Sequence, residues 1–146
     1  MSEEGFENIT NIDFSPKAIA IMEEKNKAKF PKMVFKVMDA LDMKEFQTGS
    51  FNIVIDKGTL DSVLCGDNSA ANASKMISEV FRILSPGGHY ICITYGDSEH
   101  RKKHLETQSW EKVDVEKVQK PTTSNANIDE NDPKNFHYVY IMTKPK

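Results

Sequence analysis

Asp56-Lys57-Gly58-Thr59-Leu60-Asp61 sets two acids, a lysine and a turn glycine side by side, directly after the apolar run Phe51-Asn-Ile-Val-Ile55. That run reads as a short buried strand, so Asp56 and Lys57 fall where the strand gives out. In open α/β sheets, ligands bind in the crevice beyond the carboxyl ends of the strands. An acid at that place can orient an amine or hydroxyl donor, and Lys57 beside it adds a positive charge. The alternative is a solvated, salt-bridged loop closed by a turn glycine, since most charged loop residues face water. Two more strand-like runs also end in an acid. Glu7 to Asp13 closes on Asp13, with Phe14 after it, and Met33 to Met38 is followed by Asp39 and Ala40.

The elements that must hold these residues follow from pattern. Ser15-Pro16 supplies a hydroxyl cap and a proline at the first helical position, predicting a helix over Lys17–Lys27. Thr48-Gly49-Ser50 turns the chain into the central strand, and Thr59–Leu64 is expected to make a short helical turn. Ala73, Met76, Ile77, Val80 and Leu84 recur at helical spacing, so Ala70–Leu84 is a helix, ended by Pro86-Gly87-Gly88. His89–Tyr95 reads as a strand, His100–Glu106 as a polar helix, Trp110–Val118 and Phe136–Met142 as a closing strand pair. Pro121–Lys134 between them is expected to be a mobile polar loop. Strands alternating with helices predict an α/β fold on a mostly parallel sheet, as one domain over residues 1–146.

Composition narrows the function classes. A chain of 146 residues suits one domain, which buries roughly two thirds of its unfolded surface. The net charge of -3 gives no electrostatic case for a nucleic-acid or anionic-membrane partner. No apolar run approaches the roughly 20 residues of a membrane span. The acidic start Met1-Ser-Glu-Glu-Gly5 does not read as a targeting signal, which predicts a cytoplasmic protein. Cys65 and Cys92 stand far apart with no Cys-x-x-Cys, so both are expected to be reduced thiols. His100 and His104, four apart, would share a helix face, but without a third ligand no metal site is expected. Arg101-Lys102-Lys103 between them reads as a solvated helix face, His89 and His137 as core-edge histidines, and Trp110 as packing.

Taken together, Asn11-Ile-Asp-Phe-Ser-Pro16, Met38-Asp-Ala40, Gly49–Asp61, Glu79-Val-Phe-Arg-Ile-Leu-Ser-Pro-Gly-Gly88 and His137-Tyr-Val-Tyr140 resemble a class I S-adenosylmethionine-dependent methyltransferase with its Rossmann-like sheet and antiparallel C-terminal strand. Asp-Lys-Gly-Thr-Leu-Asp is similar to the methyltransferase-like group that includes lysine methyltransferases of elongation factor 1-alpha and of citrate synthase. The resemblance covers nearly the whole chain. It implies S-adenosylmethionine as cofactor and a protein lysine as methyl acceptor. Asp13 would accept the ribose hydroxyls, which suits an acceptor-only carboxylate, and Phe14 would offer the adenine an apolar wall. Asp39 would receive the adenine amino group, with the Ala40 backbone near the ring. Asp56 and Lys57 would lie at the sulfonium end, the position of catalysis, and Tyr95 would help shape the lysine channel.

One part of the family pattern has no counterpart. The family's first strand leads into a Gly-x-Gly turn whose backbone approaches the methionine part of the cofactor, where only glycine has room. None of the seven glycines forms that pattern, and Gly5 fits a helix C-cap. The sequence thus reads as a domain truncated at its N-terminus, with the family's first strand absent between Ile9–Asp13 and Phe51–Ile55. Three outcomes are open. The two exposed edges close on each other, a partner or self-association supplies a strand, or the chain is unstable alone. Cofactor binding by this chain alone is expected to be weak or absent, and a catalytically inactive isoform, gene-model fragment or binding protein is the competing reading.

Overall fold

The structure is a computed structural model that describes residues 1, 3, 5, 6, 8–121, 132 and 135–146. The chain divides into two compact units, residues 1–43 and 44–146.

The first unit is a parallel strand–helix–strand element: β1 (Thr10–Asp13), α1 (Pro16–Asn26) and β2 (Val34–Val37). Ser15 Oγ accepts the Ala18 N–H at 3.3 Å, and Pro16 follows with φ already set for a helix and no N–H to leave unpaired. Ile19 is the side chain α1 buries. β1 and β2 pair in register from Thr10↔Val34 to Asp13↔Val37, and the Met38 N–H extends the ladder to the Asp13 carbonyl at 3.0 Å. The observed strand is shorter than the predicted run from Glu7, a residue outside those described. Its ladder begins where the Val34 N–H reaches the Ile9 carbonyl at 2.9 Å.

The second unit contains β3 (Phe51–Lys57), α2 (Thr59–Leu64), α3 (Ser69–Ile83), β4 (Leu84–Thr94), α4 (Ser98–Leu105), β5 (Lys112–Gln119) and β6 (Phe136–Thr143). Its sheet order is β3-β4-β6-β5. β3 and β4 run parallel, while β6 runs against both of its neighbours. This is the mostly parallel, Rossmann-like arrangement with an antiparallel C-terminal strand that the sequence predicts. Period-two alternation sends Tyr90, Cys92 and Thr94 of β4, and Tyr138, Tyr140 and Met142 of β6, into the core. Ala73, Met76, Ile77, Val80 and Ile83 of α3 are buried with them. On the alternate positions Ile53 and Ile55 are exposed, and Ile91, Ile93, Val139 and Ile141 are half-buried.

β4 departs from expectation. It begins at Leu84 and runs through Pro86-Gly87-Gly88, where the sequence predicts a stop and a fresh start at His89. The glycines explain it. Gly87 takes φ +73°, and a Cβ at Gly88 would sit 2.8 Å from the Ser85 carbonyl oxygen and 3.0 Å from that of Asn52. The segment therefore continues alongside β3 with a register shift between Phe51 and Ile53, as a bulge does. Of the predicted mobile loop 121–134, all but Pro121 and Asp132 lies outside the described residues. β1 pairs only with β2, and β3 only with β4, among the described residues.

The close approach at Gly88 gives a direct check. Gly88→Ala is expected to lower stability by roughly 1–3 kcal/mol through overpacking, read as a lower urea midpoint at an unchanged slope.

Candidate functional site

Asp13 and Asp39 sit at the carboxyl end of the β1–β2 pair, and both are exposed. Each carboxylate makes one local bond. Asp13 Oδ1 accepts the Ser15 N–H at 2.8 Å, and Asp39 Oδ1 accepts the Leu41 N–H at 2.8 Å. Such Asx turns fix the carboxyl group while leaving further lone pairs for a ligand's O–H or N–H donors. Phe14, next to Asp13, is 81% exposed. Ala40 follows Asp39 half-buried.

Asp56 is placed quite differently, being only 4% exposed. Its register partner is Cys92, so its side chain shares a face with Cys92 and, two residues away, with Tyr90. Asp56 Oδ2 accepts the Tyr90 hydroxyl at 3.0 Å and the Leu60 N–H at 3.1 Å, with Cys92 Sγ donating at 3.7 Å. Oδ1 accepts the Thr59 N–H at 2.8 Å. Asp56 therefore caps α2 from two residues before the formal cap, Gly58, whose φ of +80° turns the chain sharply enough to allow it. Burial, with the Cys92 thiol and the Asp56 charge adding to it, pushes the Tyr90 phenol well above its ordinary range. Burial and then the Asp56 charge push the Cys92 thiol up as well. Both groups remain protonated donors. Lys57, pointing the other way along the strand, is exposed.

A second carboxylate cluster follows, and sequence reasoning missed it. Asp61 of α2 accepts from the Thr94 hydroxyl, from the Tyr95 N–H at 3.1 Å, and from Arg101 Nη2 at 2.6 Å and Nε at 3.2 Å. Burial raises the Asp61 pKa, but hydrogen bonds from Thr94, Arg101 and the Tyr95 amide outweigh it and hold the group below its ordinary value. Arg101 thus leaves the solvated face expected for Arg101-Lys102-Lys103. Its side chain is 17% exposed while Lys102 and Lys103 face solvent. Tyr95 is held by its backbone yet the residue is 62% exposed, its ring beside His137 at 5.1 Å and under Lys120 Nζ at 4.9 Å.

The remaining residues have structural roles. Trp110 precedes β5, meets Phe81 edge-on at 4.9 Å and donates to the Leu105 carbonyl at 2.7 Å. His89 is exposed beside Thr143, and His100 pairs with Asp97, the α4 cap. Both cysteines are free, Cys65 exposed and Cys92 buried. No helix among the described residues is long and apolar enough to cross a membrane.

A family model described as a methyltransferase domain matches residues 1–142, and the chain belongs to this family, the class I S-adenosylmethionine-dependent methyltransferases. Among curated relatives, the eEF1A lysine and N-terminal methyltransferase of Bos taurus is 35% identical over 148 residues, covering 96% of this chain and 20% of that protein. EEF1A lysine methyltransferase 4 of Mus musculus is 36% identical over 108 residues, covering 68% of this chain and 42% of that protein. The chain thus spans well under two thirds of the length of either. Among solved structures, N-methyltransferase NodS from Bradyrhizobium japonicum in complex with S-adenosyl-L-homocysteine superposes with a TM-score of 0.69 at 17% identity, over 94% of this chain and 66% of that one. At that identity the likeness establishes the fold.

Two outcomes follow from the carboxylates. Asp56→Ala leaves the Tyr90 hydroxyl and two amides buried without an acceptor, and is expected to cost about 3 kcal/mol, measured by denaturant unfolding. For Asp61 the folded pKa is depressed, so its stabilisation is complete above the unfolded value of about 4 and is lost as pH falls through the folded value. The stability gap between wild type and Asp61→Asn should be constant above about pH 5 and shrink below about pH 4.

Proposed function

We propose that the protein is a cytoplasmic S-adenosylmethionine-dependent methyltransferase whose acceptor is a lysine side chain of a protein. The observation that carries this reading is the 35% identity to an eEF1A lysine and N-terminal methyltransferase across 96% of the chain. That relative's name holds two activities. The lysine is preferred because EEF1A lysine methyltransferase 4, named for lysine alone, matches at 36%.

The donor set fits the nucleoside half of the cofactor. Asp13 takes the ribose hydroxyls, Asp39 the adenine amino group, Ala40 the ring edge, and the bare Phe14 ring covers the adenine face. Bound S-adenosylmethionine would supply a methyl group made electrophilic by its sulfonium. On the protein's side, the work is placement, because aligning an amine with that methyl group supplies most of the acceleration. The incoming lysine must be neutral, against an ordinary pKa near 10.4. Desolvation lowers that value. Asp56 contributes to catalysis by fixing the turn that carries Lys57 and Gly58, since its own oxygens already hold four donors. Lys57 is exposed at that turn and available to the reacting end.

The methionine half is less well served, since no Gly-x-Gly turn occurs in the sequence. Binding by this chain alone is accordingly weak. A strand added to the open edge of β1 or β3, by a partner or a second copy, would strengthen it.

Calorimetric titration with S-adenosylhomocysteine, with Asp13→Ala as control, tests the cofactor half. The expected result is binding weaker than about 10 µM that Asp13→Ala abolishes. Incubation of the protein with labelled cofactor and eEF1A, followed by peptide mapping, tests the acceptor. Label on a lysine is expected. Label only on the N-terminal amine, or none on eEF1A alongside intact cofactor binding, would reject the lysine reading.

A further inference from the structure

We infer that Asp61 and Arg101 form a clamp that positions Tyr95 as the wall met by the incoming lysine side chain, an inference that rests on the methyltransferase reading above. The backbone around Tyr95 is fixed at every polar atom that matters. Its N–H goes to Asp61 Oδ2, the Gly96 N–H goes to Thr94 Oγ1 at 3.1 Å, and the Gly96 carbonyl accepts from Tyr140 Oη at 3.1 Å. Arg101 reaches across this turn, donating from Nε to Thr94 Oγ1 at 3.0 Å as well as to Asp61. It lies so close over Gly96 that a Cβ there would overlap the guanidinium.

This arrangement is costly for what it buries. Removing Asp61 and Arg101 from water is unfavourable unless their geometry is excellent. A clamp serving only the core would hold a buried side chain, yet the residue it holds keeps its ring largely in solvent. Position explains the exception. Lys57 pairs with Ile93 and the Gly58 N–H donates to the Ile93 carbonyl at 3.0 Å, so Tyr95 emerges two residues further on, next to the Asp-Lys-Gly turn. Asp56 and Asp61 thereby divide the labour of one motif, the first fixing the turn and the second fixing the aromatic ring across from it. The ring face attracts the ammonium form in which a lysine arrives, before desolvation removes its proton, as it already does the Lys120 ammonium at 4.9 Å. A protein lysine is a ligand of that chemistry.

The test compares the full-length wild type with Asp61→Asn, Arg101→Gln, Tyr95→Ala and the Asp61→Asn/Tyr95→Ala double variant. Amide exchange is read residue by residue, and methylation kinetics are read on eEF1A. Loss of the clamp should speed exchange at the Tyr95 amide about 100-fold while Ile91 and Cys92 in the same strand stay protected. Each single variant should raise KM for the protein substrate about tenfold with S-adenosylhomocysteine affinity unchanged, and the double variant should be no worse than Tyr95→Ala. Independent, multiplying effects in the double variant would overturn the inference. So would a parallel fall in cofactor affinity, or exchange that rises throughout β4. Arg101→Gln, which leaves Asp61 intact, gives the same readings if Asp61→Asn fails to fold. A wild type that methylates no eEF1A lysine while binding cofactor would reject the proposed function. In that case the exchange data alone decide for or against the clamp.

Discussion

The carboxylate of Asp56 is the constraint around which the larger unit is built. A buried acid must be met by donors, and here they come from the first amides of α2 and from Tyr90 and Cys92 of β4. Those contacts require β3 and β4 to lie in one register, which runs unbroken from Ile53↔His89 to Lys57↔Ile93. They also require the chain to reverse within two residues, which the positive φ of Gly58 allows. Strand pairing, helix start and turn are thus set by one side chain. A polar group so placed favours a single arrangement of its neighbours over near alternatives, because each alternative leaves donors unpaired.

Asp61, one helical turn and a half further on, applies the same chemistry at the next layer outward. It faces an arginine where Asp56 faces neutral donors, and it is partly wet where Asp56 is dry. The difference matters for how each responds to its surroundings. Asp61 is tied to Arg101 through a salt bridge, whereas Asp56 is tied to two backbone amides, a phenol and a thiol. The two acids of the Asp-Lys-Gly-Thr-Leu-Asp motif therefore hold the turn between them by different partners, neutral donors on one side and an arginine on the other. The acids of the first unit follow a third pattern. Asp13 and Asp39 are each held by one Asx bond near the ends of β1 and β2 and are exposed.

Much of this was legible in the sequence. The 3.6-residue spacing of Ala73, Met76, Ile77 and Val80 located α3, Ser15-Pro16 located the start of α1, and Asp13 ends β1 as read, while Asp39 falls two residues past β2 and Asp56 lies within β3, which runs on to Lys57. What escaped depended on pairing between distant segments. Whether Asp56 looks into a crevice or into the core turns on its register with Cys92, 36 residues away, and no local pattern encodes that. Arg101 looks like its neighbours Lys102 and Lys103. Only the docking of α4 against the end of β4 separates the one that turns inward from the two that do not. Pro86-Gly87-Gly88 was misread because the same residues that end a helix also let a strand bulge, and the neighbour that decides between them, Asn52, lies in another element.

The two thiols acquire a meaning from this architecture. Cys65 closes α2 at the surface, and Cys92 lies under the sheet against Asp56, its proton held by burial. A thiol must be reached before it reacts, so the exposed Cys65 and the buried Cys92 differ in their access to any reagent. Any reagent that consumes the first reports on the surface of the motif, and any that reaches the second has found the β3–β4 ladder open. The protein thus carries a pair of clocks for the integrity of the β3–β4 ladder.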